Sequence, residues 1–113
     1  MSATNAFETS LLSHIFANAD IANIGDATGL RGSSTAGNLY ISLHTADPGE
    51  AAVSGQQTSE CAYTSYARVA VVRSGSGWTV SGNNASNAAA VTFPTATGGS
   101  ETATHFGIGT ASS

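Results

Sequence analysis

The stretch NLYISLH, residues 38–44, decides the fold class, because there the apolar period changes from that of a helix to that of a strand. Leu39, Ile41 and Leu43 alternate with Tyr40, Ser42 and His44, which puts the two sets on opposite faces of an extended chain. The strand should end at TADPGE, where Asp47, Pro48 and Gly49 supply the residues of a tight turn. Residues 51–60, polar and alanine-rich, read as a loop.

Upstream, TNAFETSLLSHIFANADIANIG (4–25) has a period near 3.6. Phe7, Leu11 and Ile15 stand four apart, with Leu12 and Phe16 beside them, predicting an amphipathic helix from about residue 6 to about residue 18. Thr4 or Asn5 can cap it, and Glu8 sits at the end of the helix dipole that favours an acid. His14 lies just off the stripe as a packing histidine. GDATGLRGSSTAG (25–37) has no period and reads as a tolerant Gly/Ser/Thr linker; without a lysine or a strand-loop-helix context it is no phosphate cradle.

Downstream, YTSYARVAVVR (63–73) is expected to be a second strand, SGSG (74–77) a hairpin loop, and WTVSG (78–82) its return strand. NAAAVTFP (87–94) is expected as a fourth strand, stopped by Pro94, and ATHFGIG (103–109) as a fifth. Short strands joined by Gly/Ser turns predict a mainly β chain: an antiparallel, jelly-roll-like β-sandwich or partly open barrel with one N-terminal helix. At 113 residues this is one domain, with a helix over 1–24, a linker over 25–37 and the sandwich over 38–113. Five or six strands are few for a sandwich, so further residues or a neighbouring chain should complete its last edge.

Only 9% of the residues are charged, and there is no lysine. An ordinary soluble domain carries roughly 25%. A surface of Ser, Thr, Asn and Gly is suited to being covered by neighbours, because few ions must be desolvated. Arg31, Arg68 and Arg73 against seven acids leave a net charge of −4, which argues against direct nucleic-acid binding. The lone Cys61 predicts no intrachain disulfide; with no basic start followed by an apolar run, and no apolar stretch of about 20 residues, neither secretion nor membrane insertion is expected.

Three chemical readings were weighed. His44, Asp47 and His105 could form a metal or acid-base site if their strands pair, but Asp47 is already explained as a turn former. Cys61 lacks a histidine nearby, and Glu60 would raise its pKa. Trp78, Tyr40, Tyr63 and Tyr66 could make a carbohydrate platform, although large aromatics are more often packing. No catalytic residue, cofactor or metal is therefore expected.

Taken in order, LLSHIF, LYISLHTADPGE, YARVAV, VTFPTAT and THFGIG make the chain resemble a family of small tailed-bacteriophage virion proteins, labelled tail-fibre-like or structural; some small phage proteins of comparable size act as capsid cement. That resemblance implies a non-enzymatic virion protein made in the host cytoplasm. The preferred expectation is a capsid decoration protein, a homo-oligomer or symmetric array on the major capsid protein, with Phe7, Leu11, Ile15, Phe16 and Trp78 as interface residues. The alternative is a tail or head fibre module touching the host surface through exposed aromatics and loops 51–60 and 95–102.

Overall fold

A computed structural model describes residues 3–25, 28–49 and 55–113. The order of elements is α1 (Asn5–Ala17), β1 (Asn38–His44), a short 3-10 turn (Gly55–Gln57), β2 (Val69–Val72), β3 (Trp78–Ser81), β4 (Asn84–Asn87) and β5 (His105–Gly109). The strands form two sheets, β2-β1-β5 and β3-β4, with β1–β5 and β3–β4 antiparallel. This is the mainly β, sandwich-like class expected, open rather than closed into a barrel. The chain divides into two compact units: residues 1–38 with 72–90, and residues 39–71 with 91–113.

In the first unit the helix is capped by Thr4, whose side chain accepts from the Phe7 N–H at 3.3 Å. It ends at Asn18, which takes the left-handed conformation (φ 57°) and returns its N–H to Ser13 O. Leu12 and Phe16 turn inward, and the Phe16 ring lies 4.7 Å from that of Trp78, which is buried. Thr9 Oγ1 donates to Gly82 O at 2.6 Å, fastening helix to hairpin. Arg73 caps the C-terminal end of the helix: its guanidinium donates to His14 O (2.7 Å) and Ile15 O (2.6 Å), carbonyls that a helix leaves without partners, and also to Ala36 O (3.2 Å).

Three local expectations about the strands are corrected here. β3 returns not on β2 but into β4, through the two-residue turn Gly82-Asn83 between Ser81 and Asn84. Gly82 has φ +59°, the conformation that a two-residue hairpin with glycine first requires. Residues 88–104 hold no named strand, so the fourth strand lies at Asn84–Asn87 rather than 87–93. Likewise 63–68 is looped and only Val69–Val72 is strand, because Tyr63, Tyr66 and Arg68 are spent on side-chain contacts described below.

The linker, finally, is not tolerant. Ile21, itself buried, exchanges backbone hydrogen bonds with Leu30 at 2.8 Å each way, and the Asn18 amide bonds both Ser33 N–H and Ser33 C=O at 2.8 Å. At Gly29 (φ +71°) a Cβ would collide with the Ile21 carbonyl and at Gly32 with the Asn18 carbonyl, so these two glycines are required by close backbone approach. The expected loop at 51–60 gives way to the 3-10 turn at its end, and residues 51–54 lie outside the described residues.

Candidate functional site

The second unit buries Leu39, Ile41 and Cys61 and, beside them, a polar network. β1 is its central strand, and Ser42 and His44, two residues apart on one face, are both 0% exposed. His44 Nδ1 lies 2.8 Å from Thr58 O, which can only accept, so Nδ1 carries the proton and Nε2 is left to accept from Ser42 Oγ, also at 2.8 Å. The Gln56 amide donates to Ser42 Oγ (3.1 Å) and Tyr40 O (2.9 Å). Arg68 Nη1 reaches Gln56 Oε1 at 3.4 Å and Ala111 O at 3.0 Å.

Arg68 holds Glu60 by two parallel bonds, Nε to Oε1 at 2.7 Å and Nη2 to Oε2 at 2.8 Å, with side chains only 4% and 15% exposed. This bidentate pair is the network's anchor. The Arg68 bond, opposed by partial burial and aided by the Tyr66 hydroxyl, holds the Glu60 carboxyl below the usual carboxylate range. Glu60 raises the Arg68 pKa in return. Tyr66 OH donates to Glu60 Oε1 at 2.8 Å and accepts from the Leu43 N–H at 3.0 Å; burial first, then Glu60, push the phenol well above its ordinary value. Burial, then Glu101 and Glu60, push the Cys61 thiol up, so it sits as a small buried hydrophobe rather than a thiolate.

β5 closes over this network, and its glycines are the reason it can. Cα pairs Ser42 with Gly107 and Tyr40 with Gly109. A Cβ on Gly107 would stand 2.8 Å from Ser42 Oγ and 2.9 Å from His44 Nε2, and one on Gly109 would overlap Gln56. Ser42, His44 and the Thr58 carbonyl have the order of nucleophile, base and orienting acceptor, yet with Ser42 fully enclosed beneath bare glycine backbone there is no room for a reacting carbonyl. The arrangement is a structural lock.

The residues singled out for chemistry fall elsewhere. His44 and His105 are cross-strand partners, but His44 is engaged as above and His105 Nδ1 meets Thr104 Oγ1 at 2.9 Å. The Asp47 carboxylate accepts from Gly49 N–H at 2.9 Å, shaping its turn. Among the described residues no His/Cys/Asp/Glu cluster could hold a metal ion, and no helix is long and apolar enough to cross a membrane. The aromatics do not assemble into one platform: Tyr66 meets Tyr63 edge-on at 5.3 Å and Phe93 in a stack at 6.4 Å in the second unit, whereas Trp78 belongs to the first. His14 Nδ1 donates to Ala19 O at 2.7 Å, a packing and capping role.

Several large apolar side chains remain open to solvent. Along α1, Phe7, Leu11 and Ile15 form a row 47%, 42% and 39% exposed, while Phe16 and Trp78 pack on each other within the unit. On β5, Phe106 is 68% and Ile108 42% exposed. Sequence reasoning passed over Gln56 and met Glu60, Arg68 and Tyr66 only one at a time, since no local pattern marks the four as a set. Gly107 and Gly109 did carry a signal, since two glycines at period two imply something large across from them.

A mainly β chain with large apolar side chains left exposed in rows on α1 and β5 has the surface of a structural protein. A family model matches residues 2–113: the chain belongs to the family described as podophage GP4 fiber I protein gp80, a family of virion structural proteins of the fibre type. No curated protein and no solved structure shows significant similarity to it.

Proposed function

We propose that the chain is a fibre-type virion subunit that acts by docking on a neighbouring virion protein through the Phe7-Leu11-Ile15 row of α1. The observation that carries this is the exposure of three large apolar side chains, four residues apart, on a helix whose Leu12 and Phe16 already serve the unit's own packing. The family description favours a fibre over the capsid decoration preferred from sequence. A low charge density supports either, because few ions need desolvation at the contact.

Magnitudes add a condition. Completing the burial of three half-exposed side chains contributes about 1 kcal/mol each, against an association cost of about 4 kcal/mol or more. The row therefore needs a second contact or several linked copies to hold. Copy number by quantitative mass spectrometry of purified virions tests the reading: a few to some tens of copies per particle are expected for a fibre arranged about a symmetry axis. A ratio near one per capsid subunit, or a simple fraction of it, overturns the fibre assignment in favour of decoration. Leu11→Asp in the phage should leave folding intact and abolish incorporation.

A further inference from the structure

We infer that the free edge of β5 pairs with β5 of a second copy of this chain, antiparallel and centred on Gly107, joining two three-stranded sheets into one of six strands. The inference rests on the fibre reading only in supplying a reason for copies to meet; its geometry stands on β5 itself. In the order β2-β1-β5, β1 is bonded on both sides and β5, among the described residues, on one. Every second residue of such a strand directs its N–H and C=O outward, toward nothing in its own sheet.

Natural edges are usually guarded by lysine, proline, a bulge or an inward charge. HFGIG contains neither proline nor lysine, and its only titratable residue is His105 at one end. Its two faces differ: Phe106 and Ile108 are exposed on one, while Gly107 and Gly109 lie under Gln56 and the Ser42-His44 pair on the other.

Self-complementarity identifies the occupant. With Gly107 opposite Gly107, Phe106 of each copy falls directly opposite Ile108 of the other, an aromatic–β-branched pair on each side of the axis, and glycine meets glycine on the opposite face. A slip by one residue would set Phe106 against glycine and lose both pairs, and a slip by two keeps only one apolar pair at the axis, Phe106 with Phe106 or Ile108 with Ile108. A two-fold contact of this kind uses one patch twice, and the β5 edge is complementary to itself in this register.

Analytical ultracentrifugation of the full chain tests this. The wild type should show a concentration-dependent dimer, and Phe106→Lys and Ile108→Lys should each lose it without lowering the melting temperature, because both positions are exposed. The register is read by mixing F106C with I108C protein under mild oxidation: the disulfide-linked heterodimer should predominate over either homodimer. A wild type monomeric to about 1 mM, the weakest affinity of interest, overturns the inference, as does a crosslink from F106C to a different virion protein in intact particles. Neither result touches the copy-number test, so failure of the edge pairing and failure of the fibre reading are distinguishable.

Discussion

The two units each hang on one arginine, and the partners of that arginine show how differently they are held together. Arg73 gives its hydrogens to three neutral carbonyls, His14 O, Ile15 O and Ala36 O, and finishes a helix whose packing is otherwise aromatic. Arg68 gives its hydrogens to the Glu60 carboxylate, Gln56 Oε1 and Ala111 O, and closes a chain of polar contacts running through Ser42 and His44 to Thr58 O. Removing Arg73 returns carbonyls near a helix end to water; removing Arg68 leaves a partly buried carboxylate without its counterion. The second loss is the costlier because an unpaired buried charge has no cheap alternative.

That contrast can be broken most directly by paired truncation. Arg68→Ala should destabilise the protein by about 3–5 kcal/mol, and Arg73→Ala by about 1–2 kcal/mol, the scale of lost charge-assisted bonds that water can replace; denaturant titration of both variants measures the difference. Equal costs would mean that the carboxylate relaxes into solvent and that the second unit is not organised by the pair.

A smaller effect probes the enclosure. Gly107→Ala should cost about 1–3 kcal/mol by pressing a methyl into Ser42 and His44, whereas Gly75→Ala, with nothing within 4 Å of the added Cβ, should stay within about 0.5 kcal/mol. Thermal melts of the two variants decide it; similar melting temperatures would show that β5 does not lie tightly over the network.

The gentlest test is acid. Glu60 has its pKa lowered in the folded state, so the stability it supplies is fully present above its unfolded value of about 4.3 and is lost as pH falls through the folded value. Stability measured from pH 6 downward should fall in that window, and Glu60→Gln should flatten this part of the profile. At the alkaline side, Tyr66 has a raised pKa; its contribution is present below about pH 10 and disappears as pH rises through the folded value.

Much of the architecture was legible because it depends on local periodicity. The change of period at residues 38–44 placed β1 to the residue, and the four-residue spacing of Phe7, Leu11 and Ile15 placed α1 within one residue at each end. The same spacing named an apolar row without saying what covers it: Phe7, Leu11 and Ile15 are exposed, whereas Phe16 packs on Trp78. Periodicity says that a face exists but not which of two adjoining apolar rows a hairpin will cover. The hairpin was missed for a related reason. Gly82-Asn83 is a recognised two-residue turn, but the more conspicuous SGSG drew the pairing to β2, and only the cross-chain register separates the two.

Composition by itself determined that this chain has few ions to desolvate, no disulfide within itself and a turn at Asp47-Pro48-Gly49, because those properties need no partner distant in sequence. Tertiary structure alone decided that Glu60 meets Arg68, that Ser42 and His44 lie beneath Gly107, and that Phe106 on β5 is left exposed. Those outcomes depend on contacts between residues as much as 65 positions apart, Ser42 and Gly107 among them. A side chain's charge or size sets what such a contact is worth, and only the folded backbone sets whether it is made.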